Sequence, residues 1–107
     1  MCEEFKQPGS QWFHGDTYVF INDMNGAIVC HPANPDFEGA NMLSLQNSEG
    51  TFVIQKLIDA VRTKSSGWVQ YMWPKPSEGK HAKKLTYVTK VDSGGRALVV
   101  GSGIYLD

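Results

Sequence analysis

The sequence predicts an α+β fold, an antiparallel sheet of about five strands with helices packed against it, and three observations predict it. The first is order: two β-rich runs, one amphipathic helical run and three further β-rich runs follow one another with short connections. Short connections join antiparallel strands, whereas parallel strands need long crossovers. The second is Asn25-Gly26, a pair suited to the positive φ angles of a tight turn, placed between two strand candidates. The third is a change of period, from β-branched and aromatic runs to apolar residues at helical spacing and back.

Each element follows from its residues. Glu3 to Asp16 mixes charge, glycine and aromatics without periodicity, so a short helical or irregular lead-in is expected, broken at Pro8-Gly9. Thr17 to Ile21 and Ala27 to Cys30 read as a hairpin across Asn22 to Gly26. His31-Pro32-Ala33-Asn34-Pro35 ends the second strand, because proline donates nothing to a ladder and restricts the residue before it. A loop then runs through Glu38-Gly39-Ala40. Ile54, Leu57, Ile58 and Val61 recur at helical spacing between Thr51 and Lys64. Ser48 or Thr51 can cap that helix, and Ser65-Ser66-Gly67 can stop it. Trp68 to Trp73, Leu85 to Val91 and Arg96 to Tyr105 then form a meander, separated by Pro74 to Lys83 and by Asp92 to Gly95.

At 107 residues, one domain spanning 1–107 is expected. The formal charge of −1 arises from 10 basic and 11 acidic residues mixed along the chain, with no basic stripe for phosphates, so nucleic acid is not an expected partner. Thr17 to Ile21 and Ala97 to Val100 fall far short of the roughly 18 apolar residues of a membrane helix. The N-terminus, Met1 to Lys6, lacks the apolar core of a secretory signal. Cys2 and Cys30 could pair in an oxidising compartment, but the simpler reading is a terminal free thiol and a buried strand cysteine.

No catalytic machinery emerges. His14, His31 and His81 are widely separated, without HxxxH or CxxC spacing, so neither a metal nor a cofactor is expected. Asn22 to Gly26 lacks the ligand spacing of a calcium loop and reads as a turn. Gly101-Ser102-Gly103 is not a nucleophile elbow, so the chain is not expected to be an enzyme.

The informative segment is Gly67 to Trp73. Alternation puts Val69, Tyr71 and Trp73 on one face of that strand and Trp68, Gln70 and Met72 on the other. Large aromatics on both faces imply cover, a pocket or an interface on the second side. Trp68 is assigned mainly to packing, and Tyr71 and Trp73, each an aromatic body with a polar tip, to a ligand. In the next strand Lys84 and Tyr87 are expected to add a cation and a phenol to the same surface. A cation and phenols around an apolar cup suit a small carboxylate. His31, at a strand end, either donates to an anion or satisfies a backbone carbonyl.

Several segments together resemble a known family: Asp16 to Asp23 with Asn25-Gly26, His31-Pro32 with Asn34-Pro35 and Gly39, Ser66 to Pro74, Lys84 with Tyr87-Val88, and Gly101-Ser102-Gly103-Ile104-Tyr105. Their order and spacing resemble the single Cache domain, the type called Cache 2, from Phe13 to Tyr105. The resemblance implies a PAS-like sensor fold with a ligand pocket on one side of the sheet. It implies an extracytoplasmic or periplasmic module of chemoreceptors and histidine kinases that recognises acetate, propionate or pyruvate. The implied pocket draws on Tyr71, Trp73, Lys84 and Tyr87, with His31 and Trp68 near it. The lead-in, residues 1–12, is shorter than the family's long N-terminal helix, which suggests either a trimmed piece with its signalling domain elsewhere or a stand-alone protein. The alternative is a structural module with a vestigial pocket that forms a homodimer through the sheet or the N-terminal segment.

Overall fold

A computed structural model describes residues 13–14, 17–33, 35–75 and 80–106. The lead-in of residues 1–12, the Pro8-Gly9 breaker and Cys2 lie outside the described residues. The strands are β1 (Phe13–His14), β2 (Thr17–Asp23), β3 (Ile28–Cys30), β4 (Ser66–Pro74), β5 (His81–Ser93) and β6 (Arg96–Tyr105), with a short 3-10 turn (Pro35–Phe37) and the helix α1 (Val53–Lys64) between β3 and β4. They form an antiparallel sheet in the order β1-β2-β6-β5-β4, and β3 pairs on β2. The α+β fold expected from the sequence is therefore present, and β4 to β6 form the expected meander.

The chain closes the sheet by bringing its last strand between its first and its middle ones. β2 pairs with β6, Phe20 opposite Gly101, and β6 pairs with β5, Val88 opposite the same Gly101. A Cβ at Gly101 would lie 2.5 Å from Phe20 Cζ, so the glycine makes room for an aromatic ring on the neighbouring strand. Gly103, a pleat further along, makes room in the same way: a Cβ there would meet Thr86 Oγ1 at 2.6 Å and the Leu85 carbonyl oxygen at 2.8 Å. The Gly-Ser-Gly run is thus a packing device.

The β2–β3 hairpin turns through Met24 to Ala27. Of the Asn25-Gly26 pair only Gly26 takes a positive φ, 95°. The turn is set instead by Asp23, whose Oδ1 accepts from the amides of Asn25 and Ala27, both at 2.9 Å. Arg96 closes on its other oxygen at 3.0 Å. Carboxylate acceptance of two amides and a guanidinium holds Asp23 below the usual range, although partial burial pulls the other way.

Helix α1 begins at Val53 with Phe52 at the N-cap position and no side-chain cap, so neither Ser48 nor Thr51 does the capping expected of it. Thr51 instead donates its backbone amide to Asn47 Oδ1, which fixes the loop before the helix. Ser65 stops the helix in the left-handed region at φ 64°, with its amide on the Val61 carbonyl. Val53, Ile54, Leu57, Ile58 and Val61 are buried against Tyr18, Phe20, Ile28, Val69, Tyr71, Trp73, Val88 and Val99 on the inner sheet face. Each such side chain contributes about 1.5–3 kcal/mol relative to exposure. β5 starts at His81, earlier than the expected Leu85, because β4 pairs with it as far as Pro74 opposite His81.

Cys30 is the buried strand cysteine expected, but it is disulfide-bonded, which corrects the simpler reading in which the two cysteines do not pair.

Candidate functional site

The register of three strands builds the site. Tyr71 on β4 faces Lys84 on β5, and Lys84 faces Tyr105 on β6. Directly paired antiparallel residues share a face, so one inner row carries a phenol, an ammonium and a second phenol. β2 adds Tyr18 and Phe20 to the same side, and the chain leaving β3 adds His31.

Lys84 is only 1% exposed, yet its nearest polar partner is neutral. Its Nζ donates to Tyr18 Oη at 3.1 Å. The ammonium lies 4.3 Å from the centroid of the Tyr18 ring, 5.2 Å from Phe20, 5.7 Å from Tyr105 and 5.9 Å from Tyr71. Cation–π attraction of this kind offsets part of the desolvation cost. Among the described residues no carboxylate pairs with it; its polar partner is the Tyr18 hydroxyl. Burial accordingly lowers Lys84 from 10.5 to about 7.

The surrounding phenols stay protonated. Burial raises Tyr18 well above its ordinary value, reinforced by Tyr105 and Tyr71, while hydrogen bonding from Trp73 acts in the opposite sense. Tyr71 is raised chiefly by burial, and its hydroxyl is 2.9 Å from Thr86 Oγ1. Tyr105 donates to the Pro74 carbonyl at 2.8 Å. Tyr18 therefore offers Lys84 an oxygen dipole and no counter-charge.

His31 forms an aromatic wall of the site. Its ring stacks on Phe20 at 5.9 Å and 23° and sits 5.2 Å from Tyr18, 5.4 Å from Phe37 and 6.3 Å from Trp73. Burial first, and then the Lys84 charge, depress His31 from 6.5 to about 3, against the smaller pull of Glu38 and a backbone hydrogen bond. The imidazole is neutral at ordinary pH. Glu38 is held beside it by the His31 backbone amide, which donates to Oε2 at 3.1 Å.

Trp73 stands between this cluster and the surface. It packs edge-on to Tyr71 at 6.0 Å, and its outer side lines an apolar hollow of about 180 Å³ together with Phe37, Leu45 and Pro74. Asn47 secures the loop beside that hollow by donating to the Met72 carbonyl at 3.0 Å.

Of the residues expected at the ligand, Tyr71, Trp73, Lys84 and His31 come together, whereas Tyr87 and Trp68 do not join them. Tyr87 is three residues from Lys84, so strand alternation turns it to the opposite face, where it is 42% exposed. Trp68 is its Cα partner and is 64% exposed, which also corrects its assignment to the core. The two rings meet edge-on at 5.0 Å on the outer sheet surface. Sequence reasoning missed Tyr18, Phe20 and Tyr105. Alternation along β2 puts Tyr18 and Phe20 on one face, but only the β2–β6 and β5–β6 pairings carry them to Lys84. Among the described residues no cluster of three or more histidine, cysteine or acidic side chains could hold a metal, and no helix is long and apolar enough to cross a membrane.

In fold this is a PAS-like domain. The PAS domain of an HTR-like protein from Haloarcula marismortui superposes with a TM-score of 0.57 over 82% of this chain and 79% of its own, at 8% identity. Within that class the chain belongs to the Cache domain family, whose profile matches residues 7–107. It is 30% identical over 92 residues to the methyl-accepting chemotaxis protein McpP of Pseudomonas putida, covering 86% of this chain and 16% of that protein. It is 40% identical over 92 residues to the sensor histidine kinase MctS of Rhizobium johnstonii, covering 86% of this chain and 19% of that one. The chain thus spans less than a fifth of either relative's length. A periplasmic sensor domain of a chemotaxis protein superposes with a TM-score of 0.84 at 31% identity, covering 98% of this chain and 69% of its own. A Cache chemosensory domain described for carboxylic acid recognition superposes with a TM-score of 0.83 at 33% identity, over 99% and 69%. The chain is thus a Cache sensor domain of the kind found in chemoreceptors and histidine kinases.

Proposed function

We propose that this domain senses a short monocarboxylate, bound with its carboxylate on Lys84 and its tail against the rings of Tyr18, His31, Tyr71 and Trp73. The observation that carries this reading is the buried Lys84 ammonium, which meets no carboxylate among the described residues. A lone buried cation costs several kcal/mol, and an anionic ligand is the partner that would recover it. The other neighbours are rings and neutral hydroxyls, which favour one negative charge and a small apolar tail over a diacid. The similarity to a domain described for carboxylic acid recognition supports the same class.

As a module of a longer signalling protein, the domain would transmit binding by favouring whichever arrangement of its loops holds the acid more tightly. The similarity to a periplasmic sensor domain and the disulfide at Cys30, a bond that persists in oxidising compartments, support an extracytoplasmic location. The function is read from thermal unfolding with acetate, propionate, pyruvate and succinate. A rise in midpoint with a monocarboxylate, lost in Lys84→Met, supports the reading. No rise with any of the four overturns it.

A further inference from the structure

We propose that the acid enters this site together with a proton, which Lys84 binds as the carboxylate arrives, so that the domain takes up the neutral acid in sum. The inference rests on the carboxylate reading and deepens it. Its basis is the set of groups that face Lys84 from each element around it. β2 presents Tyr18 and Phe20, β4 presents Tyr71, and β6 presents Tyr105. The chain after β3 presents a neutral His31, with Glu38 held on the His31 amide. Every one of the ring neighbours is uncharged, and Tyr18, the one group hydrogen-bonded to the ammonium, is a phenol that resists ionisation.

Without the acid, the charged and neutral forms of Lys84 are therefore balanced close to neutral pH: burial disfavours the ammonium, and the rings and the Tyr18 hydroxyl offset that only in part, with no counter-charge among the described residues to restore it. A carboxylate at hydrogen-bond distance in the same dry surroundings adds a strong, short-range attraction to the charged form alone. The balance is simple. A proton from solvent joins the Nζ lone pair, an N–H bond forms, the carboxylate remains an anion, and on release both depart. Above neutral pH only the protonated fraction of the empty domain is competent, so apparent affinity falls with that fraction, by about tenfold per pH unit.

Calorimetry of acetate binding to the 107-residue chain, in two buffers of different ionisation heat, counts the protons. Near pH 8 an uptake approaching about one proton per acetate is expected, falling towards zero near pH 6. Acetate binding near pH 8 with no proton uptake and a pH-independent Kd overturns the inference and leaves the carboxylate reading standing. Absence of binding by acetate, propionate and pyruvate at every pH overturns both. A second measurement needs no variant: the Lys84 ε-methylene NMR shift should titrate near neutrality in the empty domain and lose that transition under saturating acetate. A transition near the ordinary lysine value of about 10.4 in the empty domain overturns the inference.

Discussion

Lys84 Nζ and Tyr18 Oη meet at 3.1 Å although 66 residues separate them in the chain. The contact exists because β6 lies between β2 and β5 and holds both side chains over one face of the sheet. It also couples stability to pH. Unfolding returns Lys84 to water, where it keeps its proton to about pH 10.4. In the folded domain it releases that proton near 7. Between those values the unfolded chain holds more protons, so stability rises with pH through this window, by up to about 1.4 kcal/mol per unit. The contribution is complete above the unfolded value and lost as pH falls through about 7. Urea unfolding at steps from about pH 6.5 to 8.5 should show the rise, and Lys84→Met should flatten it. At the acid end of that range the variant should be more stable by about 1–4 kcal/mol, as when buried ions give way to apolar side chains.

His31 acts in a lower window with the same sign. Its folded value of about 3 lies below the ordinary 6.5, so stability is complete above 6.5 and is lost as pH falls towards 3. Acid unfolding of His31→Phe should lack that part of the slope, because the replacement keeps the stacked ring and carries no titrating group. Equal acid slopes in the two proteins would show that the buried imidazole does not titrate as its surroundings dictate.

Gly101→Ala tests the closure of the sheet. The new methyl would sit 2.5 Å from Phe20 Cζ and 2.9 Å from Cε1, and Phe20 is 3% exposed in a packed core. The ring or the strand must move, at a cost of about 1–3 kcal/mol. A midpoint unchanged in chemical denaturation would mean that the ring has room the packing does not suggest.

How much of this was legible in the sequence divides along local and non-local lines. The helix, the hairpin and the meander follow from period and turn chemistry, which are properties of neighbouring residues. Tyr71, Trp73, Lys84 and His31 were legible as candidates because their residue types suit an anion in an aromatic cup. Tyr87 was misplaced for a local reason, since its odd spacing from Lys84 already fixed it on the other face. Tyr18 and Tyr105 were illegible for a different reason: their roles depend on pairings across most of the chain, which no local pattern encodes. The helix stop at Ser65 lies within the expected Ser65-Ser66-Gly67, although the residue that takes the left-handed turn is the serine and not the glycine. A serine in the left-handed region is unusual, and here its amide closes on Val61 while its carbonyl accepts from the Lys90 amide at 2.8 Å, so tertiary contact overrides preference.

Tyr71→Phe separates packing from polar satisfaction in the inner row. The ring would remain, but Thr86, fully buried, would lose the hydroxyl 2.9 Å away. Leaving a buried hydroxyl without that partner should cost about 1–3 kcal/mol. Thr86→Val combined with Tyr71→Phe should recover some of the loss, which a double-mutant cycle measures directly.

Trp68 and Tyr87 provide the complementary test on the outer face. Both rings are substantially exposed and lie on the side of the sheet away from Lys84. Replacing Trp68 with serine should therefore change stability by no more than about 0.5 kcal/mol beyond the loss of its edge contact with Tyr87. Acetate affinity in Trp68→Ser should equal that of the unaltered chain, whereas Trp73→Ser, which opens the wall beside Tyr71 and His31, should weaken it about tenfold or more. The same result can be read optically, because Trp73 lies at the proposed site and Trp68 does not. Acetate should alter tryptophan emission as strongly in Trp68→Ser as in the unaltered chain, and a response lost with Trp68 would move the ligand to the outer face.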